Sequence, residues 1–276
     1  MKRFCIIANK EKDPDGRIAK RLAACISEHG GSAYVVAPLV MGTDYCKVDL
    51  EPGTECTIIL GGDGTFLRGA KVLQASGIPV MGINLGHLGF LTAAEYQDAD
   101  RAVSQLVNDE YVIEKKSLLK TSRNGVESEI LAMNDVVIAR SGFSRLIRLK
   151  VSVNGQMADN YQGDGVIIAT PSGSTGYSLS AGGPVVAPQA RTLVITPVCP
   201  HMLHARPFVI SDEDEIEIEV CSSSRSLEQE ATVTVDGDEV MGLSVGDKVT
   251  VRRAAAEISV VMLREISFWD RVRGKL

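Results

Sequence analysis

Apolar and polar positions alternate in two different ways along the chain, and the change predicts two kinds of architecture. In the first third, short unbroken apolar runs predict β-strands over residues 3–8, 33–37, 57–60 and 78–83. Between them, apolar residues at helical spacing predict helices over residues 15–29, 66–74 and 98–108. Such alternation, with uninterrupted apolar strands, is typical of a mainly parallel sheet that is covered on both faces.

From about Tyr111 onward, strand patterns follow one another with few helical patterns between them. They cover residues 130–139, 146–153, 166–169, 193–196, 215–220, 232–235, 248–251 and 258–262. Residues 216–220 alternate apolar and acidic side chains, which is typical of a half-exposed antiparallel strand. We therefore predict an α/β N-terminal domain, Rossmann-like with a mainly parallel sheet, plus an all-β C-terminal domain. The predicted domains are residues 1–115, with the glycine-rich turn, and residues 116–276. The sequence leaves open which domain the polar tail over residues 268–276 packs on, with packing back on the first domain as one option.

The composition excludes several classes of protein. The chain has 29 Lys and Arg against 35 Asp and Glu, a net charge of −6 that disfavours binding to a phosphate backbone. Aromatic residues make up only 5%, too few for a platform on which bases stack. No apolar run approaches the roughly 20 residues of a membrane helix. The six cysteines are scattered without a Cys-x-x-Cys pair, so we expect a reduced, cytoplasmic protein with no membrane or nucleic-acid partner.

A glycine-rich turn follows the strand at residues 57–60. Its sequence, Gly61-Gly62-Asp63-Gly64-Thr65, leads directly into a predicted helix. Glycines let the backbone approach a ligand closely, and the N–H groups at a helix entrance attract anions. A carboxylate in such a loop is useful if Asp63 takes a proton from an attacking hydroxyl or helps to place Mg²⁺. The alternative is a tight turn that is stabilised by an Asp63 side-chain hydrogen bond.

A second glycine-rich segment spans residues 163–184, where one apolar strand lies between two turns rich in glycine and hydroxyl groups. Ser172, Ser174, Thr175 and Ser180 offer donors that could cap a helix or hold a polar ligand. Asp164, at the strand entrance, could accept hydrogen bonds from ribose hydroxyls or a base amine. The alternative is a plain strand–turn–helix corner without a ligand.

Two shorter motifs stand next to predicted strands. The pair Asn134-Asp135 opens an apolar run and is compatible with either a turn or a ligand contact. Residues 84–91, which include Asn84 and Phe90, form a loop at the carboxyl end of a strand. Ligands bind at that edge of an open α/β sheet.

Taken together, the chain resembles the NAD kinases of bacteria from about Ile58 through Gly237. The resemblance rests on the Gly-Gly-Asp-Gly-Thr turn, the loop 84–91, the pair Asn134-Asp135, the segment 163–184 and the short motif over residues 196–201. The first motif is also found in phosphofructokinases and in lipid kinases, whereas the last two are much more specific.

The resemblance implies transfer of the γ-phosphate of ATP to the 2′-hydroxyl of the adenosine ribose of NAD, with Mg²⁺ or another divalent cation. It implies that Asp63 is the general base, with a contact to the metal as a further option. The other implied binding residues are Gly61, Gly62, Gly64, Thr65, Arg68, Asn84, Phe90, Asn134, Asp135, Arg145, Asp164, Ser172, Thr175, Gly176, Tyr177 and Ser180.

Two alternatives remain at this point. A lipid kinase of the diacylglycerol or sphingosine type shares the reaction class, but the acidic charge and the lack of a basic amphipathic segment count against it. A non-enzymatic NADP-binding regulator would need no base, and the intact Asp63 counts against it. The resemblance also implies a homodimer or homotetramer.

Overall fold

The structure, a computed structural model, describes residues 1–36, 48–87, 89–142, 146–221, 231–263 and 267–275. The α-helices in these ranges are α1 (Arg17–Glu28), α2 (Asp63–Leu73), α3 (Ala99–Val107), α4 (Tyr177–Ser180) and α5 (Phe268–Lys275). The first strands are β1 (Arg3–Ala8), β2 (Ser32–Val35), β3 (Cys56–Gly61), β4 (Val80–Asn84), β5 (Ala94–Glu95), β6 (Tyr111–Arg123), β7 (Val126–Ala132) and β8 (Asp135–Arg140). The later strands are β9 (Ile147–Val153), β10 (Gln156–Gly163), β11 (Gly165–Ala169), β12 (Thr192–Val198), β13 (Phe208–Ser211), β14 (Ile216–Cys221), β15 (Ala231–Val235), β16 (Asp238–Leu243) and β17 (Lys248–Leu263).

The chain divides into two compact units. The first comprises Met1–Lys116 together with Glu257–Leu276, and the second comprises Ser117–Ala256. The C-terminal helix α5 therefore belongs to the first unit.

The first unit is built on parallel strands in the order β2-β1-β3-β4. Its central strands are uninterrupted apolar runs, and every residue of β3 is buried. Helix α1 buries Ala19, Leu22 and Ile26, which share one helical face. Burying each large aliphatic side chain contributes about 1.5–3 kcal/mol, so these apolar faces hold the unit together.

The second unit contains a six-stranded sheet in the order β13-β12-β11-β8-β15-β16, in which all neighbours are antiparallel. Strand β14 pairs antiparallel with β9 and with the first part of β17. Along β11, Val166 and Ile168 pack into one apolar cluster, whereas Ile167 and Ala169 pack into another. The strand is buried on both faces, which explains its unbroken apolar sequence.

The structure confirms the predicted fold class, a parallel α/β part followed by an antiparallel β part. Some predicted boundaries are wrong. The run 130–139 is divided between β7 and β8 by a turn at Met133-Asn134, and the runs 248–251 and 258–262 belong to the single strand β17. Helix α2 begins at Asp63, three residues before the predicted start. No helix in the described ranges is long and apolar enough to cross a membrane.

Candidate functional site

The glycine-rich turn connects β3 to α2 without intervening loop residues. Gly62 occupies the cap position with an extended backbone, and Asp63 is the first residue of the helix. A Cβ on Gly61 would lie 2.5 Å from the side chain of Thr65, so the turn needs glycine there. The carboxylate of Asp63 is favourably placed because the N-terminus of a helix carries partial positive charge.

The loop that contains Asn84 lies beside this turn. Strands β3 and β4 are neighbours in register, with Gly61 opposite Asn84, and the N–H of Leu85 donates to the carbonyl of Gly61 at 3.0 Å. The Asn84 carbonyl Oδ1 accepts the N–H of Gly86 at 2.9 Å, which fixes the first bend of the loop. Both motifs therefore meet at the carboxyl edge of the parallel sheet, where α/β proteins bind ligands.

The Asp63 carboxylate is held by the second loop. The N–H of Phe90 donates to Oδ2 at 2.8 Å and the N–H of Leu91 donates to Oδ1 at 3.3 Å. A Cβ on Gly89 would overlap this carboxylate, so the close approach requires glycine. Two carboxylate oxygens offer about four lone-pair positions, and two further positions therefore remain for a substrate proton or a cation. The Asp63 side chain is therefore oriented by backbone groups of a different loop, whereas the alternative interpretation had it bonded within its own turn.

Arg271, which reaches this loop from α5, was not indicated by any sequence motif. Its Nη1 donates to the carbonyl of Gly89 at 3.0 Å and also to the carbonyl of Thr92, and the residue is only 4% exposed. Burial lowers the pKa of the Arg271 guanidinium, while the negative charges of Asp63 and Glu114 oppose that shift. The adjacent aromatic residues Phe268 and Trp269 were a sequence signal that this tail packs against other residues.

Helix α5 also contacts the loop through aromatic rings. The ring of Phe268 lies 6.4 Å from the ring of Phe90, and the Lys275 ammonium lies 4.8 Å above the Phe90 ring. These contacts fix the residue whose N–H binds Asp63.

Lys12 is a second residue that the sequence motifs did not indicate. Its ammonium lies 3.5 Å from the position of a Cβ on Gly62, directly beside the glycine-rich turn. The loop that carries it follows β1 and is tied to the turn by a 2.8 Å hydrogen bond from Asn9 to the hydroxyl of Thr65. The position after the carboxyl end of a parallel strand was a signal that could have identified Lys12.

The remaining residues predicted on α2 differ in their surroundings. Thr65 is buried and accepts the Asn9 amide, so its hydroxyl supports the turn. Gly64 has open space where a Cβ would stand, and Arg68 is half-buried one turn further along the helix.

In the second unit, Asn134 and Asp135 form the turn between β7 and β8. The carboxylate of Asp236 accepts three backbone N–H groups, from Met133 at 2.9 Å, from Asn134 at 2.7 Å and from Asp135 at 3.1 Å. Asp236 and Gly237 make the two-residue hairpin between β15 and β16, both with positive φ. An Asp-Gly pair between strands was the available signal for this hairpin, but not for its contact with Asn134.

The side chain of Asn134 has an unsatisfied acceptor. Its Oδ1 is buried and has no hydrogen-bond partner within the described ranges. The backbone carbonyl of Asn134 accepts the N–H of Thr170 at 2.9 Å, and a Cβ on Gly173 would overlap that carbonyl. Asp135 is 6% exposed, and its Oδ2 lies 3.9 Å from the position of a Cβ on Gly176. The structure thus brings the pair Asn134-Asp135 against the segment that follows β11.

The hydroxyl groups of that segment divide into internal and accessible ones. Ser174 is completely buried and bonds the backbone of Pro171 and Val186, so it is not available to a ligand. The Thr175 hydroxyl donates to the carbonyl of Ser172 at 3.2 Å. Ser172 stands at the cap position of a short 3-10 helix, Gly173–Thr175, but its side chain makes no capping hydrogen bond there. Tyr177 is 49% exposed and Ser180 is exposed, which leaves both accessible.

Asp164 lies apart from this group. Gly165 pairs with Ala139 while Ala169 pairs with Asp135, so Asp164 is at the opposite end of the β8–β11 pair. Its Oδ1 accepts a 2.6 Å hydrogen bond from Nε of Arg140, a partner that the sequence motifs did not indicate. Arg145, the other predicted contact in this region, lies outside the described residues.

Comparisons with known proteins match both parts of the chain to one family. The profile of the ATP-NAD kinase N-terminal domain matches residues 44–111, and that of the ATP-NAD kinase C-terminal domain matches residues 133–263. The NAD kinase of Lachnoclostridium phytofermentans is 42% identical over 100% of this chain and 99% of its own, and that of Agathobacter rectalis is 38% identical with the same coverage.

Solved structures share the fold. The yeast NADH kinase complexed with NADH superimposes with a TM-score of 0.83 at 23% identity, over 100% of this chain and 87% of its own. An NAD kinase from Archaeoglobus fulgidus in complex with ATP gives 0.76 at 24% identity, over 99% and 98%. The matches do not favour the lipid-kinase or regulator alternatives. The chain therefore belongs to the NAD kinase family, whose members are phosphotransferases.

Proposed function

We propose that the protein transfers the γ-phosphate of ATP to the 2′-hydroxyl of the adenosine ribose of NAD, with Asp63 as the general base. The observation that carries the assignment is the carboxylate of Asp63, fixed by the N–H groups of Phe90 and Leu91 at the entrance of α2. A ribose hydroxyl is a weak nucleophile at neutral pH, so a positioned base accelerates its attack. The remaining lone pairs of Asp63 provide the acceptor for the hydroxyl proton.

The donor phosphates are assigned to the glycine-rich turn of the first unit. Gly62 and Gly64 lie at the start of α2, where backbone N–H groups have no partner within the helix and the helix dipole favours negative charge, and Gly61 allows the turn to form. The Lys12 ammonium beside Gly62 adds a positive charge to the same place, and Arg68 provides another on α2. Such groups neutralise the charge on the transferring phosphoryl group and hold it in line.

The dinucleotide is assigned mainly to residues of the second unit. The buried, unpartnered Oδ1 of Asn134 is an acceptor that a ligand N–H would satisfy, since buried polar atoms are rarely left unpaired. Asp135 offers a carboxylate next to Gly176, and Tyr177 offers an exposed ring on which a base could stack. The other proposed contacts are Asn84, Phe90, Thr65, Arg145, Asp164, Ser172, Thr175 and Ser180.

A divalent cation, Mg²⁺ in the first instance, belongs to this proposal. Mg²⁺ is usually held by one or two carboxylates together with substrate phosphates. The Asp63 carboxylate lies beside the proposed phosphate position, and the two loop N–H groups leave part of its lone pairs available for a cation. When bound, the ion neutralises charge on the phosphates; Asp63 and the backbone N–H groups supply the orientation.

Cellular location and assembly complete the proposal. The five cysteines in the described ranges, Cys5, Cys25, Cys56, Cys199 and Cys221, are all free thiols, which is typical of a reducing compartment such as the cytoplasm. We propose self-association into a homodimer or homotetramer, which the mass of the protein in solution tests.

The substitution Asp63→Asn tests the proposal because it keeps the size and one acceptor oxygen but removes the basic carboxylate. We expect kcat to fall by about 100-fold or more, since a positioned base contributes about 10²–10⁴-fold, while calorimetry still shows binding of NAD and ATP. Asp13→Asn is the matched control, because the buried Asp13 carboxylate also accepts two backbone N–H groups, from Ile18 and Ala19. It should lower the unfolding temperature without a comparable loss of kcat. A variant at Asp63 that keeps most of its kcat would overturn the assignment of the base.

A further inference from the structure

A cluster of three metal-binding side chains lies between α1 and α3, away from the glycine-rich turn. Cys25 and His29 are one helical turn apart at the end of α1, and Asp100 faces them from the first turn of α3. One donor atom from each residue lies within 4.8 Å of the other two. The Cys25 Sγ is 3.5 Å from the Asp100 Oδ1, and the Nε2 of His29 is 3.8 Å from the same oxygen.

We infer that Cys25, His29 and Asp100 form a binding site for one divalent transition-metal ion of the zinc class. Zinc binds sulfur at about 2.3 Å and nitrogen or oxygen at about 2.0–2.2 Å, so adjacent ligands of a tetrahedral ion are separated by roughly 3.5 Å. The Sγ–Oδ1 and Nε2–Oδ1 separations are within a few tenths of an ångström of that value, and the Cys25 Sγ lies 4.0 Å from the Nδ1 of His29. A mixed sulfur, nitrogen and oxygen set favours zinc-class ions over Mg²⁺ or Ca²⁺, which prefer oxygen ligands alone.

The orientation of His29 supports metal binding. Its Nδ1 lies 3.0 Å from the backbone carbonyl of Cys25, so a proton on Nδ1 is donated there, and Nε2, which is 3.8 Å from the Asp100 Oδ1, keeps its lone pair. Metal-binding histidines typically donate their other ring N–H to a carbonyl or a carboxylate in this way. The tautomer required for binding is therefore already set by the end of α1.

The surroundings leave space for a fourth ligand. A cavity of about 510 Å³ is lined by Cys25 and Asp100 together with Arg21, Glu28 and Tyr96. Water or a small ligand can therefore reach the ion, as in metal sites with an open position. On binding, the Sγ–H bond of Cys25 breaks, the Sγ–metal bond forms, and the proton passes to solvent.

Titration with Co²⁺ tests the site, because a thiolate–cobalt bond gives a charge-transfer absorption that a nitrogen and oxygen site lacks. We expect one Co²⁺ per chain with that absorption, displacement by Zn²⁺, and a higher melting temperature with Zn²⁺. Cys25→Ser should abolish the absorption, and His29→Gln and Asp100→Asn should each weaken binding at least 10-fold. Cys199→Ser, which removes an exposed thiol elsewhere, is the matched control and should behave as the wild type. Absence of the absorption in the wild type, or its persistence in Cys25→Ser, would overturn the inference.

Arg271 supports a second inference, which rests on the proposed role of Asp63. Arg271 lies on α5, and the Nη1 of its buried guanidinium donates hydrogen bonds to the carbonyls of Gly89 and Thr92. These carbonyls bracket the residues whose N–H groups hold the Asp63 carboxylate. The Nε and Nη2 atoms have no hydrogen-bond partner within the described ranges, so fold stability alone does not account for an arginine here.

The geometry points to Arg271 as a positioning residue for Asp63, acting through the loop over residues 89–92. The guanidinium holds the loop through the carbonyls of Gly89 and Thr92, and the negative charge of Asp63 raises the Arg271 pKa against the lowering that burial causes. A misplacement of about 1 Å in a catalytic group can reduce the rate about 100-fold. Arg271 therefore links α5, at the end of the chain, to the proposed base.

A double-mutant cycle tests this role. We expect Arg271→Met to lower kcat at least 10-fold with little change in KM for ATP or NAD, and added guanidinium to restore part of the rate. In Asp63→Asn, the further change Arg271→Met should have a much smaller effect, because the group that it positions is already inactive. Arg273→Met is the matched control, since Arg273 is exposed on the same helix and pairs with Asp270.

The outcomes separate the two proposals. Independent effects of Arg271→Met and Asp63→Asn, with multiplied losses of kcat, would overturn the positioning role and leave Asp63 as the base. A wild-type kcat in Asp63→Asn would overturn the assignment of Asp63 as the base and with it this positioning role, whereas absence of NAD phosphorylation in the wild type would overturn the proposed function. A change confined to the melting temperature in Arg271→Met would show a structural role only.

Discussion

Because Gly89 has no Cβ, the Asp63 carboxylate can lie against the backbone of another loop. The same close approach recurs in the second unit, where Gly173 lies against the carbonyl of Asn134. In both places a polar group of the site is fixed by backbone contacts, which hold it more rigidly than flexible side chains would. The glycines of the two motifs therefore serve the geometry of neighbouring polar residues as well as their own turns.

Gly89→Ala should displace the Asp63 carboxylate because the new Cβ would overlap it. We expect kcat to fall at least 10-fold, and overpacking to cost about 1–3 kcal/mol of unfolding free energy, measured by denaturant titration. Gly86→Ala is the comparison on the same loop, since its Cβ would lie 3.6 Å from the nearest atom, an ordinary contact. A larger loss of kcat in Gly86→Ala than in Gly89→Ala would contradict this account.

Asp135→Ala should raise KM for NAD and leave KM for ATP nearly unchanged if its carboxylate bonds the dinucleotide. Loss of a hydrogen bond to a charged group costs about 1.5–3 kcal/mol, or roughly 10- to 150-fold in affinity. Steady-state kinetics with each substrate varied in turn measures the effect, and Asp135→Asn separates the loss of charge from the loss of the side chain. Equal effects on both substrates would instead indicate that the buried Asp135 supports the fold.

The sequence indicated Asp63 and Asn134-Asp135 because glycine or polar residues beside an apolar strand form a local pattern. It did not indicate the groups that hold them. Asp236 lies 102 residues from Asn134, and Arg271 lies 182 residues from Gly89. Local spacing contains no information about such partners, because only the folded sheet and helix packing bring them together.

Among the elements, β17 shows why one long strand was predicted from the sequence as two short strands. The charged pair Arg252-Arg253 interrupts its apolar pattern, so the sequence predicted two short strands. In the structure, Arg252 pairs with Glu127 on β7, and Arg253 pairs at 2.9 Å with the buried Asp212. Carboxylates outside the strand therefore neutralise the charges, and the strand continues.

These two arginines give a matched comparison of ion pairs on one strand. Arg253→Met should lower the free energy of unfolding by about 2 kcal/mol, because it removes the closer partner of the buried Asp212 carboxylate. Arg252→Met removes an exposed pair and should cost less than about 1 kcal/mol. Urea titration of both variants measures the difference in unfolding free energy. A larger loss of unfolding free energy in Arg252→Met would show that the burial of Asp212 does not determine which ion pair is more stabilising.

At the scale of the whole molecule, the alternation of strands and helices predicted the class of each part of the chain. Packing of the tail over residues 268–276 on the first domain was only an option at the sequence level, and the return of the end of β17 to that unit was not predicted. Residues Glu257–Leu276 group with Met1–Lys116, because the second part of β17 aligns parallel with β4 at Val80 and α5 packs on the loop of Phe90. The pairing partner of a strand depends on topology, and the apolar run 258–262 would have suited either unit.

Self-association is the last expected property of the whole molecule. Strand β13 is an edge of the six-stranded sheet, and unpaired edges are sites where a second copy can add a strand. Leu203, just before this strand, is 96% exposed, and Val209 within it is 53% exposed. Large apolar side chains beside an open edge are typical of an interface between copies, which in stable dimers buries about 1,200–2,000 Å².

Light scattering at micromolar concentration should therefore give a mass of at least twice 29.6 kDa. The double substitution Leu203→Glu with Val209→Glu should shift the mass towards that of the single chain, because it places charges where apolar groups would be buried. Val126→Glu is the control and should leave the mass unchanged, since Val126 is 75% exposed on β7, which pairs with β6 and is not a strand of the six-stranded sheet. A wild-type mass of 29.6 kDa would contradict self-association. If the double variant keeps the mass of the oligomer, only the β13 edge is rejected as the interface, because the copies then associate through another surface.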